Sequence, residues 1–560
     1  MEKWRIRARW MGVWMVLGLM WALPVSAMAN TAASAIEKRV EAMEDGEAPN
    51  RKVAQFYAAR GFQPAWSDES SIQALIEQID ALANDGLQPQ DYRPERWLPD
   101  YRAVYRHGED SDERARFDLE MTRTMLTALE HLHHGKLDPR RIEQGWDMER
   151  PSFSLSMARV SYAVDEGDLP ALFEEVRPDH PPYRHLRDGL ARYRAIQSAG
   201  GWPRLPARDE SLRPGDTDED VLLLRKRLAA LTHPADRPAN DDYYAEIDTR
   251  VTNGGTSSFD DRPRGPRYYD EQLANDLRAF QRRHLLTADG VIGPKTRAAL
   301  NVDVDTRIDQ IRVNLERARW LLHGLPEAFV LVDIAGYEVS YYRPNGDVWQ
   351  SRIVVGKPYR KTPTLRSSIT HLTFNPTWTV PPTIYREDML PRIREDLDVL
   401  DEENLVVIDP EGQRLDPEEI DWESPPNLML RQPAGPANPL GQVVIRFPND
   451  HAVYLHDTPA QSLFNRPQRA VSSGCIRVQN VMELVRLLLD DERRWDREAI
   501  ASVIDKGQTR HVTLDQPVPI ILHYWTVNAD ENGKLSFKPD IYERDRDLLM
   551  ALDTPALQVL

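Results

Sequence analysis

The sequence holds one cysteine, Cys475, in the run Ser472-Ser473-Gly474-Cys475-Ile476-Arg477, nineteen residues after His456. A cysteine with no partner in its own chain cannot form an intramolecular disulfide, which leaves a small buried hydrophobe or a reactive thiol. The neighbours favour the thiol. Small residues before it let backbone amides approach a reacting carbonyl, an arginine follows two positions on, and His456 lies in a strand-like segment from which it can act as a base. An unperturbed thiol, pKa ~8.5, is only a few per cent ionised at neutral pH. His456 supplies the activation either as a base or as the cation of a thiolate–imidazolium pair. Its ring needs an orienting partner. Adjacent side chains on a strand point to opposite faces, so a backbone carbonyl is expected there rather than the Asp457 carboxylate. The amides of Ser473, Gly474 and Cys475 are the candidate oxyanion donors. The next helix is expected to begin near Asn480, with Glu483 three residues on in a near capping-box pattern. Its N-terminus is too far from the sulfur for the dipole to acidify the thiol.

The elements that must position these groups are strands. Residues 329–342 mix β-branched and aromatic side chains, Pro344-Asn345-Gly346-Asp347 turns, and 348–355 return, which predicts a hairpin. Strands resume at 443–447 and 453–455 and carry the chain to His456. Between them, residues 380–432 form an acidic, proline-rich stretch too long for an ordinary loop, either a lid or a disordered insert. Residues 518–527 and 537–542 read as late strands with a structural role. A helix over about 308–322 precedes the strands. Residues 35–200 are mainly helical: 72–82 has helical periodicity and stops at Asp85-Gly86, and 121–132 stops near Gly135 with Pro139 beyond. His131, His133 and His134 at that end spread over different helix faces with no carboxylate or cysteine cluster, so they read as helix-end residues rather than metal ligands. His371 and His523, in strand-like runs, read as satisfied core or edge residues. No metal site, glycine-rich phosphate loop, basic stripe or cofactor is expected.

The first 29 residues have the layout of an export signal. Lys3, Arg5, Arg7 and Arg9 precede a short apolar run over 10–23, and Ala27-Met28-Ala29 fits a small-x-small cleavage site. The run is short of the ~20 residues a spanning helix needs. An uncleaved anchor stays open, and only that would place the protein on a membrane. Removing the segment takes away four positive charges and one negative and moves the formal charge from −18 to −21. A protein this acidic is a poor partner for nucleic acid or anionic lipid, and no nucleic-acid partner is expected; solubility alone also accounts for the charge. A lone cysteine in an exported protein excludes a disulfide framework.

Two resemblances follow from quoted residues. Arg278, Phe280, Gln281, Gly290, Gly293, Thr296, Ala299 and Leu300 match the pattern of the peptidoglycan-binding type 1 module, a small three-helix domain, here over 209–301 with a helix at 220–231 and a polar insertion at about 232–268. Its role is glycan binding or that of a spacer. Ser472, Gly474, Cys475, Ile476 and Arg477, with His456 upstream, resemble the signature of the L,D-transpeptidase (YkuD-type) catalytic domain. Asn438-Pro439-Leu440-Gly441 and Tyr454-Leu455-His456-Asp457-Thr458 resemble its large YcbB-like subgroup. Ser473 stands where that family usually has histidine.

The resemblance implies a multidomain α+β protein: signal peptide 1–29, helical scaffold 35–200, binding module 209–301, linker helix 302–326, and a β-rich catalytic domain 327–550 with a capping insert at about 380–432. It implies a cell-envelope or periplasmic enzyme of peptidoglycan biosynthesis and cell shape. Cys475 attacks the third-residue carbonyl of a tetrapeptide stem, D-alanine leaves, and the thioester passes to a neighbouring stem as a 3→3 cross-link. His456 is the base, and Arg477, Tyr454, Ser472 and Trp378 are the candidate substrate-binding residues. For Arg477 an internal ion pair is the alternative, and for Tyr454 and Trp378 a place in the core. Donor and acceptor stems are the implied partners, with cell-wall synthesis proteins beside them, and carbapenems are the implied inhibitors. A lipoprotein lysine or a free D-amino acid is an alternative acceptor, and with water as acceptor the same site is a hydrolytic L,D-carboxypeptidase or an amidase that detaches wall-bound proteins. A non-catalytic wall-binding scaffold is the competing class.

Overall fold

The computed structural model describes residues 23–42, 48–107, 110–143, 145–146, 148–149, 152–153, 155–231, 265–530 and 532–555. The charged segment and most of the apolar run of the expected export signal, and most of the polar insertion after residue 231, lie outside the described residues. No helix among the described residues is long and apolar enough to cross a membrane. The chain divides into two compact units, one holding residues up to 137, 150–179 and the end of the chain from 552, the other holding 138–149 and 180–551.

The first unit is helical. Glu69–Ala81 starts on an Asp68 cap, buries Ile72, Leu75 and Ile79, and gives way to a tight turn ending at Gly86, φ 77°. The longest helix, Ser111–His134, buries Asp118, whose carboxylate accepts the amides of Ala65 (2.8 Å) and Trp66 (3.0 Å) and the hydroxyl of Tyr57 (2.5 Å). A buried carboxylate with three donors staples the loop at 65–66 to the helix. The helix-end histidines bond locally: His131 with the Tyr92 hydroxyl, His133 with the Val176 and Ser152 carbonyls, His134 with the Gly135 carbonyl.

In the second unit, helix Pro181–Ser198 packs on Val304–Leu321. It belongs to the second unit, as do residues 138–149, while the first unit holds the other described residues of the expected 35–200 scaffold. The segment expected to be a linker helix is buried along most of its length, with Arg317 paired to Glu143 (2.9 Å) and Asp545 (2.5 Å), and Arg319 to Glu316 (2.5 Å). Three helices, Glu219–Ala229, Glu271–Arg283 and Pro294–Leu300, enclose a small core with Val221, Leu224, Leu277, Phe280 and Ile292. Gln281 is fully buried; its amide nitrogen reaches Asp289, Val291 and Thr296, and its oxygen accepts the Gly290 amide at 2.9 Å. The glutamine, glycine and threonine of the quoted pattern are thus one hydrogen-bonded pin.

The β-rich part comprises β1 (Phe329–Asp333), β2 (Glu338–Tyr342), β3 (Val348–Gly356), β4 (Leu365–Phe374), β5 (Trp378–Thr379), β6 (Val406–Ile408), β7 (Met429–Gln432), β8 (Val443–Arg446), β9 (Leu455–His456), β10 (Ala470–Ser472), β11 (Ile476–Val478), β12 (Arg510–His523), β13 (Val527–Ala529) and β14 (Leu535–Phe537). Nine strands order as β10-β3-β11-β9-β8-β4-β12-β1-β2, and β2 pairs back onto β3, so the sheet closes on itself. The expected hairpin is β2–β3, but 329–342 is two strands. Ile334, Ala335, Gly336 and Tyr337 turn between them, and the turn is buried, so its residues are apolar and resemble strand. Strands β13 and β14 form a separate pair, and 538–542 leaves the strand.

The insert is folded. Strands β5, β7 and β6 form a three-stranded sheet over a core with Val380, Met389, Ile393, Leu400, Val407 and Leu430. Asn438, 1% exposed, donates to the carbonyls of Pro376 and Pro433, both at 3.0 Å, and so ties the two ends of the insert together. Gly441 has φ 60°, and a Cβ there would lie 2.3 Å from the Asp457 carboxylate, which is why glycine closes that run.

Candidate active site

Register brings the separated residues together. Strand β9 pairs in parallel with β11, Leu455 opposite Ile476 and His456 opposite Arg477; β8 pairs antiparallel with β9, Val444 opposite His456; β4 pairs with β8, His371 opposite Arg446. Leu455, Ile476 and Ile445 are fully buried in the core and fix which face turns inward. Tyr454, His456, Cys475, Arg477 and Arg446 therefore share the other face, since alternate residues on a strand share a side.

Cys475 sits in the bend between β10 and β11. The Ser472 hydroxyl donates to the Cys475 carbonyl at 2.6 Å and accepts the Gly474 amide at 3.2 Å. Gly474 is therefore already committed and drops out of the expected oxyanion donors. The amides of Ser473 and Cys475 have no acceptor among the described residues. Gly474, φ 118°, has a conformation that disfavours side chains, and its carbonyl accepts from the buried Thr362 hydroxyl at 2.8 Å. Thr362 in turn accepts the Gly356 amide and donates its own amide to the Tyr542 hydroxyl, which donates to the Gly356 carbonyl. Gly356 allows this close packing: a Cβ there would stand 2.1 Å from the Arg360 carbonyl.

The thiol, half-buried, donates toward the Ala452 carbonyl with sulfur 3.9 Å away. Burial pushes Cys475 above the ordinary thiol value; hydrogen bonding with Tyr454 and the charges of Arg446 and Arg477 oppose this without cancelling it. His456 is 4% exposed. Burial first, and the Arg477 charge second, push it down to about 3, so the imidazole is neutral at physiological pH. Its Nδ1 lies 2.5 Å from the Asp457 carbonyl, which assigns the proton to Nδ1 and leaves Nε2 as the acceptor. The Asp457 carboxylate turns away and accepts the Gln442 amide at 2.9 Å. A neutral thiol and a neutral, oriented imidazole on one sheet face match the base alternative and not a resting ion pair.

Tyr454 is half-buried, its ring 5.7 Å from that of His456 and under the Arg446 guanidinium at 5.1 Å. Burial and then the sulfur's charge raise its hydroxyl above the ordinary value. Arg477 makes no ion pair among the described residues, and its buried Nε has no partner, so the ion-pair alternative fails. Trp378 pairs with Gln432 in the insert's sheet and packs against the insert's core. Ser473 is exposed, and its hydroxyl accepts from Arg360 at 3.0 Å; Arg360 also holds Glu387 (2.7 Å) and Asp388 (2.5 Å) of the insert. The helix after the site, Val481–Leu489, lacks the expected capping box. Asn480 has φ 51°, outside the extended region a side-chain cap requires, and Glu483 pairs with Arg486.

Sequence reasoning missed Arg360, Thr362, Tyr542, Arg446 and His371. The last two line a cavity of about 250 Å³ with Phe447, Ala452, Val453 and Tyr454. His371 is thus a cavity residue rather than a core one. His523 is 2% exposed with neither ring nitrogen hydrogen-bonded; burial holds it neutral, at about 4.

Residues 327–513 match the family described as L,D-transpeptidase catalytic domain. The chain carries an L,D-transpeptidase catalytic domain. Residues 51–190 match the family described as scaffold domain, and 258–300 that described as "Putative peptidoglycan binding domain". A Haemophilus influenzae protein named "Putative L,D-transpeptidase" is 36% identical over 225 residues, which is 40% of this chain and 45% of that protein. The match thus spans less than half the length of the curated relative. Among solved structures, an L,D-transpeptidase from Mycobacterium smegmatis is 18% identical, with a TM-score of 0.18 over 35% of this chain and 58% of its own. One from Xylanimonas cellulosilytica is 14% identical, with a TM-score of 0.17 over 57% of this chain and all of its own. The L,D-transpeptidase domain here stands within a multidomain α+β chain.

Proposed function

We propose that this protein is a cysteine L,D-transpeptidase of the YcbB-like subgroup that forms 3→3 cross-links between peptidoglycan stems in the cell envelope. The observation that carries the proposal is the shared sheet face of Cys475 and His456, with the imidazole neutral and its Nδ1 held by the Asp457 carbonyl. His456 Nε2 takes the thiol proton as Cys475 Sγ attacks the third-residue carbonyl of a donor tetrapeptide. The oxyanion falls to the amides of Ser473 and Cys475, both without another acceptor. Collapse expels D-alanine, which leaves with the proton from His456, and a thioester remains on Cys475. The amine of an acceptor stem attacks it, His456 takes that amine's proton and passes it to the departing sulfur, and the neutral thiol and imidazole are restored.

The insert serves as the water-excluding cap, a role supported by its own core and by Arg360, which links its Glu387 and Asp388 to Ser473 beside the thiol. Residues 327–550 are the catalytic domain, 209–301 the wall-binding module and 35–200 the scaffold, behind an export signal at 1–29.

The test is incubation of the purified protein with disaccharide-tetrapeptides and mass spectrometry of the products. The proposal expects a cross-linked dimer short of one D-alanine. Monomeric tripeptide alone would replace it with a hydrolytic carboxypeptidase, and no product with an unmodified thiol would favour a wall-binding scaffold.

A further inference from the structure

Beside the sulfur, the sheet carries a lateral row across four strands: Cys475, Tyr454, Arg446 and His371. Tyr454 follows from the Ile476 amide donating to its carbonyl at 3.1 Å, Arg446 from the β8–β9 register, and His371 from its direct pairing with Arg446. Three of the four, Tyr454, Arg446 and His371, line the cavity of about 250 Å³; Cys475 does not line it, but Ala452, whose carbonyl is 3.9 Å from the sulfur, is part of its wall. A substrate whose carbonyl sits at Sγ places the substituents of that same residue next to this space.

The cavity's chemistry is cationic over an apolar floor of Phe447 and Val453. Arg446 makes no ion pair or side-chain hydrogen bond among the described residues. Arg360, Arg392, Arg394, Arg486 and Arg494 of the same region have carboxylate partners, whereas Arg446, like Arg477 on the same sheet face, has none among the described residues. Its guanidinium lies over the Tyr454 ring at 5.1 Å, an arrangement that fixes the cation while leaving its N–H edge available. Asn449 does not compete for a ligand, because its amide nitrogen is used by the Phe447 (2.9 Å) and Val453 (2.8 Å) carbonyls. Arg477, across from His456, does not line the cavity.

We infer that Arg446 is a specificity residue that selects acyl donors bearing a free carboxylate on the residue whose carbonyl Cys475 attacks. The inference rests on the transpeptidase reading and adds to it the residue that reads the donor. A guanidinium fork pairs with a carboxylate through two charge-assisted hydrogen bonds, whereas a carboxamide of the same shape offers one acceptor and no charge. Discrimination is therefore strong for so small a chemical change.

The experiment uses the full chain with Cys475→Ala, which binds without turning over, and two synthetic tetrapeptides that differ only in a side-chain carboxylate or carboxamide on the third residue. Calorimetry is expected to show the carboxylate peptide bound at least about tenfold more tightly, equivalent to about 1.4 kcal/mol. Adding Arg446→Gln should abolish the difference, and Arg446→Lys, a charge without the fork, should keep part of it. The lysine variant also guards against a glutamine variant that fails to fold. Equal binding of the two peptides, a preference that survives Arg446→Gln, or no binding of either overturns the inference. Turnover separates it from the underlying reading. Equal thioester formation from both peptides by the unmodified chain sinks the role of Arg446 and leaves the transpeptidase standing, while no thioester from either sinks the transpeptidase.

Discussion

The resting state of the thiol gives the sharpest prediction. A thiolate–imidazolium pair keeps its reactivity down to low pH, because the thiol pKa then falls to ~4. Here His456 is pushed down to about 3 by burial, with Arg477 adding to it, and Cys475 is pushed above the ordinary value. Both groups are neutral between pH 6 and 8. An ordinary thiol at ~8.5 is roughly 3% ionised at pH 7, and Cys475 must be less. Below its pKa the thiolate fraction changes tenfold per pH unit, so alkylation by iodoacetamide should accelerate about a hundredfold from pH 6 to pH 8. The assay is simple, because the chain has one cysteine and incorporated mass reports it alone. Removing either nearby cation, by Arg446→Gln or Arg477→Gln, removes an attraction for the thiolate and should move the profile to higher pH. A rate that is flat between pH 6 and 8 refutes the neutral pair.

Three further outcomes are expected. Thr362→Val deletes the hydroxyl that holds the Gly474 carbonyl and accepts the Gly356 amide, and should destabilise the domain by about 1–3 kcal/mol; an unchanged melting temperature together with unchanged turnover contradicts that role. Glu387→Gln with Asp388→Asn breaks the Arg360 link to the insert. Both carboxylates are about half exposed, so stability should change by less than ~1 kcal/mol while the ratio of hydrolysed to transferred product rises; an unaltered ratio removes the link from the cap's function. Gln281→Ala empties a buried pin of four hydrogen bonds and should destabilise the small helical module by at least about 2 kcal/mol, checked by hydrogen exchange at 271–300; unchanged protection there refutes the pin.

Legibility followed the range of the interactions. The run around Cys475 was readable because its features are local: a bend, small residues and a carbonyl-oriented histidine on an alternating strand. The convergence of Cys475 with His456 needed the parallel pairing of β9 and β11, which spacing alone does not specify. Arg446 was invisible for the same reason, since within Val443-Val444-Ile445-Arg446 nothing says that the arginine stands opposite Tyr454. Gly474 was misassigned because the Ser472 hydroxyl, a side chain two residues earlier, takes its amide. The two strands of 329–342 merged in the sequence because their turn is buried and apolar, with only Gly336 and the φ of 56° at Tyr337 setting it apart. In the insert, scattered apolar residues such as Ile393, Leu400 and Leu430 build a core that the acidic composition concealed.

The central claim is that Cys475 carries the acyl group. The most direct measurement is the intact mass of the protein after rapid mixing with a donor tetrapeptide and no acceptor. The account predicts a mass increase equal to the tripeptide acyl group, located on Cys475 and absent from Cys475→Ala. An unmodified chain while D-alanine is released, or an adduct that persists in Cys475→Ala, contradicts it.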